Sequence, residues 1–164
     1  MKTGFRLGKI NFCINNKILS TEDFFKKKRI KIFSINNDII DKNKKLEIFD
    51  NYYDRIKKLG IHEIYCCSIR SYESLKSIFK DCNIKKLRFI PDEKGYFTKH
   101  LGMMLIKENQ GIEKKVSRIF TAIITDGIIE KWWEETEILE NNQKNSFYNL
   151  TSAENCINYL SGTE

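Results

Sequence analysis

The sequence predicts an α/β fold, a mixed central β-sheet with helices on both faces, on three observations. "RIKIFSI", "LEIFDNYYDRIKKLG" and "EIYCCSI" follow one another as an apolar run, a helix-period segment and a second apolar run. That order is the pattern of a parallel strand–helix–strand unit. "RIFTAIITDGIIEKWW" carries Asp126-Gly127 between two β-type runs, the dipeptide of a two-residue hairpin. "TSAENCINYL" then adds a capped helix at the end of the chain. Parallel strands and a hairpin sharing one sheet make that sheet mixed.

The elements follow in order. "FRLGKINFCI" and "NKILS" read as two short strands about Asn15-Asn16, residues that tolerate a tight turn. In "STEDFFKK" Ser20 or Thr21 caps a helix of one or two turns, with Glu22 and Asp23 in its first turn. "KKKRIK" is the densest basic cluster; Arg29 and Lys31 alternate there with Ile30 and Ile32, as expected of the solvated start of a strand. Leu46, Phe49, Tyr53, Ile56 and Leu59 recur at three- and four-residue spacings, an amphipathic helix closed by Gly60. "EIYCCSI" suits a strand buried on both faces. "SYESLKSIFKDCN" is a helix with Ser71 as cap and Leu75, Ile78 and Phe79 inward. "KKLRFIPD" is a strand ended by Pro91, the sole proline, and "EKGYFTKHLGMML" holds a turn at Gly95 and a short helix. The last helix takes Thr151 or Ser152 as cap with Glu154 behind it.

Bulk properties bound the function classes. The 164 residues suffice for a single domain over 1–164, a size that buries roughly two-thirds of its unfolded-chain surface. No stretch approaches the ~18 consecutive apolar residues of a membrane span, and "MKTGFRLGKINF" lacks the apolar core of a signal peptide. The five cysteines, Cys13, Cys66, Cys67, Cys82 and Cys156, are odd in number and lack C-x-x-C spacing. That pattern suggests free thiols in a reducing intracellular compartment, cytoplasmic unless a leader has been removed, rather than a disulfide framework or a zinc site. His62 and His100 stand alone in their segments, so no metal or other cofactor is expected. The net charge of +7 comes from lysines scattered along the whole chain, so a nucleic-acid partner is not expected either.

"LRFIPDEKGYFTKHLGM" (Leu87 to Met103) resembles the "VRFLADGNGEFTKALGL" type of segment in peroxiredoxins of the type-5, or plant type II, class. "EDFFKKKRIKIFS" resembles their stretch into the catalytic loop, "GIHEIYCCSI" the strand carrying a serine-valine-asparagine-aspartate sequence, "TDGII" their hairpin and "TSAENCINYL" their C-terminal helix. The five fragments keep order and spacing from Arg6 to Leu160. The resemblance implies a thioredoxin-like fold and the reduction of hydroperoxides by a cysteine thiolate. In the family that thiolate sits at the first turn of a helix in a P-x-x-x-T-x-x-C loop, where helix amides and an arginine lower its pKa.

Carried over residue by residue, that machinery is missing. Anchored at Ser34, the family's proline falls on Asn36, its threonine on Ile40 and its cysteine on Asn43; counted back from Phe49 and Gly60, the cysteine falls on Asp41. No cysteine stands between Cys13 and Cys66. The family's arginine falls on Ile119, and the adjacent Arg118 would face away unless a bulge intervened. The asparagine-aspartate pair becomes Arg70 and Ser71. The expectation is a catalytically degenerate peroxiredoxin-like protein, a binding or structural module that pairs with a second copy of itself or joins a larger assembly. The alternative is a thiol peroxidase using a displaced cysteine, for which Cys66, Cys67 and Cys156 are the candidate redox thiols. Buried small hydrophobes are the plainer reading of Cys66 and Cys67, Cys156 is expected in the core or partly exposed, and Cys13 is expected inside a strand. Of Trp132 and Trp133, one indole should face the core and the other should not, and Phe147 and Tyr148 could extend an aromatic patch there.

Overall fold

The computed structural model describes residues 2–35, 44–135 and 152–162. β1 (Asn11–Ile14) and β2 (Lys17–Ser20) form an antiparallel hairpin whose turn residues Asn15 and Asn16 both have positive φ. Ser20 then caps α1 (Thr21–Phe25), its backbone N–H donating to the Asp23 carboxylate at 2.7 Å. Next come β3 (Arg29–Ser34), α2 (Lys45–Lys57), β4 (Glu63–Ser68), α3 (Tyr72–Asp81), β5 (Arg88–Pro91) and α4 (Tyr96–His100). The chain continues through β6 (Met104–Asn109), β7 (Ile112–Ser117), β8 (Phe120–Thr125), β9 (Ile128–Glu134) and α5 (Ala153–Ser161).

The main sheet has the order β5-β4-β3-β8-β9. β3, β4 and β5 are parallel neighbours, and β8 runs antiparallel to both β3 and β9, so the sheet is mixed as the sequence predicts. Ser71 caps α3 by accepting from the Ser74 N–H at 3.1 Å, and Ser152 caps α5 in the same way through Asn155. Asp126 and Gly127 both take positive φ at the β8–β9 turn, the conformation their residue types favour. One element has no counterpart in the sequence reading. β6 and β7 form a separate ribbon about Gln110-Gly111, with Ile106 and Ile112 exposed, so no core-facing alternation marks it.

Two cores lie on either side of the sheet. Ile30 and Ile32 of β3 pack with Phe24, Phe25, Phe97 and Ala122 beneath α1 and α4. Phe33 and Ile35 face Leu46, Phe49, Ile56, Leu75 and Cys156 beneath α2, α3 and α5. Lys31 corrects the expectation of a solvated strand start: it is 0 % exposed. β3 is the central strand, hydrogen-bonded on both edges and covered on both faces, so its alternating lysine has no route to water.

A polar clamp ties β3, β8, β9 and α5 together. Arg29 Nε and Nη2 donate to the two oxygens of Glu130 at 2.8 and 2.5 Å, while Thr125 and Tyr159 hydroxyls donate to the same carboxylate. The Arg29 bond first, then those of Thr125 and Tyr159, holds the Glu130 carboxyl down at about 2. Because the folded-state value lies below the ordinary 4.5, the stabilisation is present above 4.5 and is lost as pH falls through about 2. Glu130→Gln should therefore lower unfolding free energy at neutral pH by about 1–2 kcal/mol, with the gap narrowing as the medium becomes acid. Urea unfolding of both proteins at neutral pH and in acid checks this.

Candidate functional site

The site to be judged lies where β3 ends and α2 begins. Asn36, Ile40, Asp41 and Asn43 fall in 36–43, outside the described residues; Ser34 and Ile35 lead in, and Lys44 and Lys45 lead out. The Ser34 hydroxyl donates to the Arg118 carbonyl at 2.9 Å and accepts from the Phe120 N–H at 2.9 Å, joining β3 to the start of β8. Ile119, on which the sequence resemblance places the family's arginine, is a buried apolar side chain, and Arg118 beside it is partly exposed. The irregularity in the β8–β9 register occurs at Ile123/Ile124, away from this pair.

Beside the described ends of that loop lie two inward amines, Lys45 and Lys31, neither of which the sequence offered as a candidate site residue. Phe33 and Phe49 stack at 4.2 Å. Lys45 directs its ammonium inward to the Ser34 carbonyl at 3.2 Å and over the Phe33 ring at 5.7 Å, although its stem is partly exposed. Burial, reinforced by the charge of Lys31, brings the Lys45 pKa down to about 7. Lys31 donates to the Thr121 hydroxyl and lies 5.1 Å from the Phe49 ring and 5.4 Å from that of Trp133. Burial pushes its pKa down as well. A lysine inside the apolar run "RIKIFSI" was the available signal, legible only once β3 is known to be central.

The candidate thiols are dispersed. All five cysteines are free. Cys66 and Cys67 are strand neighbours and lie in opposite cores, Cys66 with Phe33 and Phe49, Cys67 with Phe97 and Ile90. Burial pushes the Cys66 thiol up, with Lys45 and Arg70 pulling against it. Burial, with Asp92 next, pushes the Cys67 thiol up as well. Both are therefore held as thiols, the unreactive form. Cys156 is fully buried on the inner face of α5; Cys13 sits within β1 but is exposed, and Cys82 is partly exposed at the end of α3.

The remaining motif residues have structural duties. Arg70 donates to Ser74 Oγ at 3.2 Å, and Ser71 is a helix cap. His62 Nδ1 accepts from the Arg29 N–H and His100 Nε2 from the Gly8 N–H, each at 3.0 Å. Trp133 is buried against Tyr159, whereas Trp132 is partly exposed and stacks on Phe120, the division expected of strand neighbours. Phe147 and Tyr148 lie outside the described residues. In "PDEKGYFTK" the Asp92 carboxylate accepts from the N–H groups of Phe97 and Thr98 and from the Thr98 hydroxyl, and Gly95 takes a φ of 76°. Among the described residues no three His, Cys, Asp or Glu side chains converge to hold a metal ion, and no helix is long and apolar enough to cross a membrane.

Comparison with known proteins gives a consistent result. No family model matches the sequence. The chain is 30 % identical over 146 residues to "Peroxiredoxin y4vD" of Sinorhizobium fredii, covering 88 % of this chain and 77 % of that one. It is 32 % identical over 143 residues to "Peroxiredoxin" of Rhizobium etli, covering 86 % and 79 %. The structure matches the Plasmodium falciparum antioxidant protein, a 1-Cys peroxiredoxin, with a TM-score of 0.83 at 25 % identity over 99 % of both chains. It matches peroxiredoxin 5 of Alvinella pompejana with a TM-score of 0.78 at 20 % identity over 99 % of both, a likeness of fold.

Proposed function

Because the chain belongs to the peroxiredoxin family, we propose that it is a catalytically degenerate member, a single domain serving as a binding or structural module in a homodimer or a larger assembly. One observation carries this reading: the sequence has no cysteine between Cys13 and Cys66, so α2 begins without a nucleophile. The supporting facts are independent of one another. An isoleucine, Ile119, stands where the family's arginine would bind peroxide oxygens, and the buried Cys66 and Cys67 are held in their protonated form. With no thiolate to attack the O–O bond, helix amides and aromatic walls have nothing to activate.

A second reading, a peroxidase with a displaced thiol, is favoured by one fact: Cys66 lies within electrostatic reach of Lys45 and Arg70, the sort of surroundings that activate a cysteine. Burial outweighs both cations there. The test is a turnover assay with hydrogen peroxide and thioredoxin, glutaredoxin or glutathione. The reduced chain should show no peroxide consumption above the reductant alone; thiol-dependent turnover removed by Cys66→Ser would establish the second reading. Size measurement of the same sample, expected to exceed the monomer, checks the assembly.

A further inference from the structure

We propose that the cleft between the N-terminal segment and α1 is a binding site for a small zwitterion, a free α-amino acid with an apolar side chain. The cleft encloses about 260 Å³. Arg6 and Leu7 line it from the N-terminal segment, and Glu22 and Phe25 line it from α1. Lys26, just after α1, and the β8–β9 turn at Asp126-Gly127 complete the lining together with Thr21. These elements are fastened to one another around the hollow. The Leu7 N–H donates to the Gly127 carbonyl at 2.8 Å, which fixes the N-terminal segment to the turn. The Lys27 N–H donates to the Asp126 carboxylate at 2.7 Å and the Asp126 N–H to the Lys28 carbonyl at 2.9 Å, which fixes the turn to the end of α1. The Thr21 hydroxyl donates to the Gly8 carbonyl at 2.8 Å and ties the start of α1 back to the N-terminal segment. A hollow whose sides are hydrogen-bonded to each other in this way is preformed, as small-molecule sites usually are.

Charge decides what fits it. Arg6 and Lys26 bring two positive groups to the cleft, and Glu22 and Asp126 bring two negative ones. Among the described residues none of these four side chains enters an ion pair. Arg6 makes a long contact of 3.5 Å to the Asp126 carbonyl, and the Asp126 carboxylate already accepts from Lys27. A guanidinium offers five donors in a planar fork, so Arg6 keeps donors for a carboxylate, and Glu22 keeps its own carboxylate for an ammonium. A simple anion in the cleft would face Glu22 and Asp126, and a simple cation would face Arg6 and Lys26. A molecule bearing both charges pairs with each set. Phe25, 1 % exposed, and Leu7 offer apolar surface to the ligand's side chain. The volume lies just below the ~300 Å³ at which pockets for drug-sized ligands begin, which holds the occupant to a small molecule such as leucine. The cleft shares no residue with the segment between β3 and α2, so this site goes beyond the degenerate-peroxiredoxin reading and does not depend on it.

The experiment titrates the isotope-labelled full chain with leucine, N-acetylleucine and leucinamide, read by amide NMR shifts and by thermal unfolding. Leucine at millimolar concentration should shift the amides of Leu7, Lys26 and Gly127 and raise Tm. N-acetylleucine lacks the ammonium and leucinamide the carboxylate, and each should bind about tenfold more weakly or worse, the worth of one hydrogen-bonded charge contact. Arg6→Gln and Glu22→Gln alter exposed side chains and leave the core intact. Each should weaken leucine by a similar factor and in its own way: Arg6→Gln should no longer distinguish leucine from leucinamide, and Glu22→Gln should no longer distinguish leucine from N-acetylleucine. The absence of leucine-dependent shifts at these amides at millimolar concentration overturns the proposal. So does wild-type binding of either derivative as tight as that of leucine, or leucine binding unchanged in both variants.

Discussion

Asp92→Ala should lower the unfolding free energy by about 3 kcal/mol, a large loss for a single side chain. The carboxylate is 3 % exposed and accepts from Phe97 N at 3.1 Å, Thr98 N at 2.7 Å and Thr98 Oγ1 at 2.7 Å. Alanine leaves three buried donors without an acceptor, each worth about 1–3 kcal/mol when stranded, less whatever water can recover. The loss cannot stay local. α4 has five residues, too few to persist unaided, and its Phe97 meets Phe12 edge-on and Phe25 face-on in the core beneath the sheet. Asp92→Asn keeps one acceptor oxygen and should fall between the two. Urea unfolding of the three proteins gives the ranking; a loss below about 1 kcal/mol for alanine would mean the loop re-pairs its donors.

Lys45→Met should raise stability at neutral pH by an amount on the order of 3 kcal/mol, and that gain should depend on pH. The folded-state value of about 7 lies well below the ordinary 10.5, so between these limits the unfolded chain binds more protons than the folded one. Stability of the wild-type chain therefore rises with pH from about 7 to 10.5. Below 7 the cost of burying the ammonium is fully present and constant; above 10.5 it is gone. The methionine variant lacks this term, so its advantage is greatest at neutral pH and below and vanishes in alkali. The lost bond to the Ser34 carbonyl trims it by about 1 kcal/mol. Denaturation at a series of pH values reads the difference directly, and a difference that does not change with pH would place the Lys45 ammonium in water.

Much of the fold was legible because local chemistry and global topology agree. Asn15-Asn16 and Asp126-Gly127 take the left-handed conformations that two-residue hairpins require, and Ser20, Ser71 and Ser152 all cap the helices that follow them. The β6–β7 ribbon was not legible, since its exposed Ile106 and Ile112 stand among Lys and Glu and only its base, at Val116 and Ser117, is buried, too short a stretch to generate a pattern. Lys31 was misplaced for a related reason. Alternation of charged and apolar residues signals a half-buried strand only when one face is wet, and β3 has none. For the site, the absence of a cysteine between Cys13 and Cys66 was plain from the sequence alone, because it is a matter of composition. The two inward amines depend on strand order, which one sequence does not display.

The central claim is that this fold no longer activates any thiol, and the sharpest measurement is the rate at which each cysteine of the reduced chain is oxidised by hydrogen peroxide, folded and in urea, followed by mapping of the alkylated peptides. Folding should protect: Cys66, Cys67 and Cys156 should react more slowly in the native chain than in the unfolded one, and the exposed Cys13 at a similar rate in both. Any cysteine oxidised faster in the folded state than in urea would contradict the account, because only a site that activates its thiol can produce that order.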